Sequence, residues 1–195
     1  MKIRTTEYDL RFLRAALPQM EAYLLSNVVY WPIGVHSPAG EPPYPQLTTG
    51  NVLLAELRSQ VSATAGQQLM ERKNFSQQLE EIRSHWTVAW MKKTRQEFRA
   101  RLNLWRDYLV EYRENPNANY DRYSYEVSRR VLLELLSIEN DQIPPPDLDL
   151  LSSLDLIVKE YFRIGEFIWQ SEWTPIFPES RFWFLYGFLP ANPAK

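Results

Sequence analysis

A chain of 195 residues is long enough to bury a hydrophobic core, and a content of 45% apolar and 24% charged residues is typical of a folded protein. The chain has no cysteine, which excludes disulfides, thiolate catalysis and cysteine-bound zinc or iron–sulfur clusters. The net charge of −2 hides an asymmetry, because residues 83–106 hold seven basic residues and one acidic residue whereas residues 134–195 hold ten acidic and four basic residues.

The first residues, Met1 to Asp9, are charged from the start and lack the apolar stretch of a secretory signal. No segment reaches the roughly 18 consecutive apolar residues of a transmembrane helix. We therefore expect a soluble, cytoplasmic protein without membrane attachment, folded as a single domain over residues 1–195.

The first helix is predicted to begin at the hydroxyl cap of Thr6. Pro18 should either kink this helix or begin a new one that runs to about Leu25. Residues 27–50 differ in kind, because five prolines and three glycines lie there among aromatic residues. We predict a long Pro-rich loop that its aromatic side chains hold against the protein surface.

A helix is predicted over residues 51–63, and residues 67–113 then contain no proline or glycine. One helix over that whole segment would be about 70 Å long, against roughly 40 Å for a compact domain of this size. The residue types of Asn74 to Gln77 resemble a capping box. We therefore predict a break there, followed by a long central helix over about 75–114.

After a turn at 115–119, a helix is predicted over 121–138. Ile143 to Pro146 should form a stiff extended connector, with a possible internal boundary at 143–147, and a further helix should end before Gly165. The aromatic C-terminal section is compatible with a short β-hairpin pairing 166–169 with 182–186, or with two short helical turns. The predicted fold class is a mainly α, irregular multi-helix domain.

Residues able to carry catalysis are few. The two histidines, His36 and His85, have no second metal ligand at a recognised spacing, and no nucleophile motif or glycine-rich phosphate loop is present. A solvent-facing His36 is the expected outcome. We predict no catalytic residue, metal or cofactor, and the interpretation favours a non-enzymatic protein.

A basic stripe is predicted on the long central helix. At about 100° per residue its five members lie within about 60° of one another and could bind nucleic acid or another anion; they are Lys92, Arg95, Arg99, Arg106 and Arg113. The alternative is that acidic residues of the C-terminal region neutralise the stripe. A sequence pI near 5.8 favours that alternative.

Large aromatic residues are the remaining signal, because they are enriched at protein interfaces. Four of them, Trp31, Tyr44, Trp173 and Trp183, are predicted to contact a protein partner, either a second copy or another protein. The alternative is that such rings pack in the core. The sequence thus favours a protein-interaction, adaptor or assembly module; the alternatives are nucleic-acid binding along the basic stripe and an enzyme or binder of a small anionic ligand.

Overall fold

The structure is a computed structural model that describes residues 7–63 and 65–193, and most of these residues are helical, as predicted. Internal contacts divide the chain into two compact units, Met1–Glu97 and Phe98–Lys195, and each is described by itself. The predicted single domain and its internal boundary at 143–147 stay predictions.

The first unit begins with two short helices, α1 (Tyr8–Ala16) and α2 (Met20–Leu25), which a 3-10 turn joins. Pro18 lies at the start of that turn, where its missing N–H leaves no hydrogen bond unmade. The predicted interruption at Pro18 and the end at Leu25 are confirmed, although α2 itself begins at Met20, two residues after Pro18. The predicted cap at Thr6 lies outside the described residues.

Helix α3 (Thr49–Ser62) begins two residues before its predicted start. The Thr48 side chain accepts a hydrogen bond from the Asn51 amide and caps the helix. The buried carboxylate of Glu97 accepts two more at the same end, from the Thr49 hydroxyl at 2.7 Å and from the Gly50 amide at 2.8 Å. A carboxylate is favoured at a helix N-terminus by the helix dipole.

The predicted break at Asn74 is wrong, since α4 (Gly66–His85) continues through it and buries Phe75 and Leu79 one turn apart. The chain breaks instead at Trp86, and the long helix α5 (Thr87–Glu114) follows. There the Thr87 hydroxyl donates to the carbonyl oxygens of the preceding turn, at 2.9 and 3.0 Å. Hydrogen bonds of this kind, from a side-chain hydroxyl to a carbonyl oxygen one turn earlier, often bend helices. They leave no trace in the spacing of hydrophobic residues, so that spacing could not predict the break.

Three further helices follow in the second unit: α6 (Pro116–Asn119), α7 (Tyr123–Glu139) and α8 (Pro145–Tyr161). The predicted turn at 115–119 is a helical turn capped by Asn115. The predicted extended connector is wrong beyond Pro144, because Pro145 and Pro146 form the first turn of α8. Proline is well suited to that turn, where the backbone N–H groups have no partner within the helix.

The C-terminal section contains a two-stranded antiparallel ladder, as the hairpin alternative predicts, but with different residues. Strand β1 (Arg163–Ile164) pairs with β2 (Gly187–Phe188), so that Arg163 lies opposite Phe188. The predicted second strand, 182–186, is largely helical, since Pro178 caps α9 (Glu179–Phe182) and a 3-10 turn follows it. Helical turns and a short ladder therefore coexist.

Each unit contains a bidentate ion pair whose arginine is buried, and in the first unit the carboxylate is buried as well. In the first, the Arg58 guanidinium donates to both carboxylate oxygens of Asp9, at 2.5 and 3.0 Å. In the second, Arg130 donates to both oxygens of Asp155 at 2.8 Å, and its guanidinium lies 4.5 Å from the centre of the Phe184 ring. Arg130 thereby links α7, α8 and the C-terminal section.

Candidate interaction surfaces

The Pro-rich loop is held against the first unit through the residues predicted to contact a partner. Trp31 and Leu47 exchange two backbone hydrogen bonds, and the Trp31 indole N–H donates to the Gln19 side chain at 3.1 Å. The Tyr44 ring packs on Tyr8, with ring centres 5.1 Å apart. Both Trp31 and Tyr44 are half-buried, so each still presents part of its ring to solvent.

The tip of this loop projects between two glycines with positive φ, Gly34 at 72° and Gly40 at 92°. His36 is exposed there, as expected, and lines an open cleft of about 310 Å³ together with Glu41 and Tyr44. The Glu41 carboxylate pairs with Arg11 at 2.5 Å. The Glu41 carboxylate on the wall of this cleft is therefore already paired within the first unit.

A buried lysine of α5, which the sequence does not single out, holds the start of the Pro-rich loop. Lys93 is 1% exposed, and its ammonium donates to the Val28 carbonyl and to the Ser26 hydroxyl, at the end of α2. It also lies 4.6 Å from the centre of the Tyr23 ring. Burial lowers the pKa of Lys93, and the charge of Lys92 lowers it further.

The members of the basic stripe lie on α5 but differ in their surroundings. In the first unit Lys92 is exposed and Arg95 is half-buried. In the second unit all three arginines are exposed; Arg99 contacts Asp147 at 3.3 Å, and Arg106 pairs with its neighbour Asp107 at 2.9 Å. The Arg99 contact is the kind of neutralisation by the C-terminal region that the alternative interpretation expects.

The two tryptophans predicted in the C-terminal section have different environments. Trp173 is buried and packs edge-to-face on Trp169, with ring centres 6.0 Å apart. Trp183 is half-buried, packs edge-to-face on Phe162 at 5.3 Å, and has the Lys159 ammonium 5.1 Å from its ring centre. Only Trp183 of this pair combines partial exposure with a fixed apolar neighbour.

Apolar side chains surround the two-stranded ladder on both faces. Ile164 is 84% exposed and lies opposite Gly187, on the face that the Phe162 ring covers. Phe188 is 49% exposed on the other face, where its ring approaches Gly165. We call these four residues around the ladder the ribbon patch: Phe162, Ile164 and Trp183, which packs on Phe162, together with Phe188 on the other face. Of these four residues only Trp183 is among the contacts predicted from the sequence, because the strands are predicted elsewhere along the chain.

Tyrosine hydroxyls hold the C-terminal section to the helices of the second unit. Tyr123 donates to the Phe184 carbonyl at 2.7 Å, and Tyr112 donates to the Pro190 carbonyl at 2.8 Å. Burial raises the pKa of Tyr112 to about 12, with a further contribution from the neighbouring Tyr161. Burial also raises the pKa of Tyr123 well above its ordinary value. These hydroxyls remain protonated donors at neutral pH, and they fix the ribbon patch.

Within the described ranges, no group of three or more histidine, aspartate or glutamate side chains is arranged to hold a metal ion. In the same part of the chain, no helix is both long and apolar enough to cross a membrane.

Comparison with protein-family models, with curated proteins and with solved structures finds no match to this chain.

Proposed function

We propose that this chain is a non-enzymatic protein-interaction module of the cytoplasm, and that it contacts a protein partner through the ribbon patch. The observation that carries the proposal is the exposure of Ile164 and Phe188 on a short ladder whose position is fixed. Isolated exposed apolar residues are common on soluble proteins, but several apolar side chains exposed around one small element favour an interaction surface.

Rigidity favours the ribbon patch over the other exposed apolar residues. The chain before and after β2 is attached to the helices through the Tyr123 and Tyr112 hydrogen bonds, and Phe162 and Trp183 pack against each other. A fixed surface loses little conformational entropy when it binds. Covering one isoleucine fully is worth about 2 kcal/mol, so Ile164 could contribute a large part of the affinity.

The test is a charge placed at the centre of the patch. Ile164→Asp should keep the fold, because the replaced side chain is almost fully exposed, and should abolish retention of partners captured by the wild-type chain from a native lysate of its source cells. Val88→Asp is the matched control, since Val88 is also 84% exposed but lies in the first unit. Quantitative mass spectrometry of the captured proteins is the measurement. Equal capture by both variants and the wild type would contradict the proposal.

Trp183 is the one predicted contact residue that belongs to the ribbon patch. The other three, Trp31, Tyr44 and Trp173, stay predictions. We expect Trp183→Ala to weaken capture as Ile164→Asp does, because tryptophan side chains often dominate binding energy at an interface.

Nucleic-acid binding is the second candidate, favoured by the exposure of three arginines on one side of α5 in the second unit. Affinity for a single-stranded probe should then fall steeply with salt and with the combined change of Arg99, Arg106 and Arg113 to glutamate. A fluorescence titration at low salt that detects no binding by the wild-type chain would remove this candidate. Such a result would leave the ribbon patch proposal unaffected.

A further inference from the structure

The two-stranded ladder has an open edge on the outer side of β1. Among the residues that the structure describes, β1 and β2 form a sheet of two strands, and no third strand lies beside β1. Arg163, Ile164 and Gly165 are all exposed along this edge. An exposed strand edge offers backbone donors and acceptors to another chain.

The hydrogen bonds of the ladder show which backbone groups face outward. The Gly165 amide donates to the Tyr186 carbonyl oxygen at 3.0 Å, so these two residues form a hydrogen-bonded pair. Hydrogen-bonded and non-hydrogen-bonded pairs alternate along an antiparallel ladder, which makes Ile164 and Gly187 a non-hydrogen-bonded pair. The N–H and the C=O of Ile164 therefore both point away from β2, at the exposed edge.

The side chains beside these two groups indicate what can bind there. Ile164 is 84% exposed and lies two residues after Phe162, on the same face of the ladder. An extended segment beside β1 would hydrogen-bond to the backbone of Ile164 and would place apolar side chains against Ile164 and Phe162. A helix covering the same side chains would leave the N–H and the C=O of Ile164 without partners, which costs free energy once water is excluded.

A second copy of this chain fits the edge less well. If two copies paired antiparallel about Ile164, Glu166 of one copy would lie opposite Phe162 of the other, because each is two residues from Ile164. The interface would then desolvate a carboxylate against an aromatic ring, and the two-fold symmetry would repeat this contact. A different chain can present an apolar side chain at both positions.

We propose that a protein partner adds an extended segment of its own chain to the outer edge of β1, as a third strand hydrogen-bonded to Ile164. This inference rests on the proposed function of the ribbon patch and specifies the kind of partner. The segment has apolar side chains at alternate positions, and it has no proline at the residue whose N–H reaches the Ile164 carbonyl oxygen. Because β1 is only two residues long, the added strand forms few hydrogen bonds and the complex is weak.

Proline at position 164 tests the backbone separately from the side chain. Ile164→Pro removes the outward N–H, and a proline on an edge strand with its nitrogen toward solvent leaves the ladder hydrogen bonds intact. Ile164→Ala is the matched control, because it also shortens the side chain but keeps the N–H. Circular dichroism confirms that both variants are folded.

Peptides selected from a random display library on the immobilised wild-type chain are the probe, and fluorescence polarisation measures their affinity for each variant. We expect Ile164→Ala to weaken binding severalfold. Ile164→Pro should weaken it at least about tenfold more than Ile164→Ala, because a hydrogen bond is lost and the proline ring occupies its place.

Amide hydrogen exchange of the wild-type chain is a second measurement, which does not depend on the proline variant. The Ile164 amide should exchange at least about tenfold more slowly with a selected peptide bound, because it then donates a hydrogen bond. The Arg163 amide faces β2 in the alternation of the ladder, so it is the internal reference and should change little.

Equal binding of the selected peptides to Ile164→Ala and Ile164→Pro, or an Ile164 amide that stays unprotected, would overturn the inference. A library that yields no peptide whose binding depends on Ile164 would overturn it too. Light scattering that shows a wild-type dimer and a monomeric Ile164→Pro variant would assign the edge to a second copy instead. The proposed function would survive each of these results if Ile164→Asp still abolished capture of cellular partners, and it would fail separately if Ile164→Asp left capture unchanged.

Discussion

Replacing Gly187 by alanine should separate the two strands that carry the ribbon patch. A Cβ atom at Gly187 would overlap the Arg163 carbonyl oxygen and would lie 2.6 and 2.8 Å from two carbons of the Phe162 ring. Real Cβ atoms essentially never come this close to other atoms, so either the strands separate or the ring turns away. The carbonyl belongs to the paired backbone and cannot move without disturbing the ladder.

The loss of stability expected for Gly187→Ala follows from overpacking. A methyl group forced into a filled site lowers the free energy of unfolding by about 2 kcal/mol. For a chain of this length that corresponds to a melting temperature lower by about 6 °C. The loss should fall mainly on the C-terminal section, because the clash involves β2, the Arg163 carbonyl of β1 and the adjacent Phe162 ring.

Gly165→Ala is the matched control, one residue beyond β1. A Cβ atom there would meet Gly187 and Phe188 only at ordinary contact distances of 3.6 Å or more. Since Gly165 has no positive φ, alanine should leave the stability unchanged or raise it by about 0.5 kcal/mol. Urea unfolding followed by circular dichroism measures both variants. If the two variants were equally stable, the close approach at Gly187 would not be what fixes the ladder.

Two further predictions concern buried polar groups. Asp9→Leu should lower the free energy of unfolding by about 3 kcal/mol in urea titrations, because it removes the carboxylate that pairs with the buried Arg58 charge. Adding Arg58→Met should recover most of the loss, since the double variant no longer buries that charge. A double variant as unstable as Asp9→Leu alone would contradict this. Tyr112 has a folded-state pKa of about 12 against about 10 unfolded, so its contribution to stability is complete below pH 10 and is lost as the pH rises from 10 to 12. Absorbance at 295 nm should then show late tyrosine ionisation that coincides with alkaline unfolding, and Tyr112→Phe should reduce the loss of stability over that pH range.

Local patterns predicted the elements that depend on nearby residues. The restart at Pro18 could be read from the sequence because proline acts on its own turn of helix. The long helix α5 could be predicted because the segment lacks proline and glycine, whereas its start could not. That start depends on the Thr87 hydroxyl bonding to two carbonyl oxygens, an arrangement that no residue spacing predicts.

The position of the ribbon patch could not be predicted from the periodicity of hydrophobic residues. Helix α8 ends where Phe162 adopts an extended conformation, which turns Ile164 out of the helical pattern and onto a strand. Its pairing partner, Gly187, lies 23 residues further along the chain, and no local preference specifies a contact of that range. The one usable signal was glycine beside aromatic residues, at Gly165 and Gly187, because glycine within a strand often marks a close approach of backbones. Reading those two glycines as positions on neighbouring strands would have placed the strands close to residues 163–165 and 186–188, but would not have given their register, in which Gly187 lies opposite Ile164.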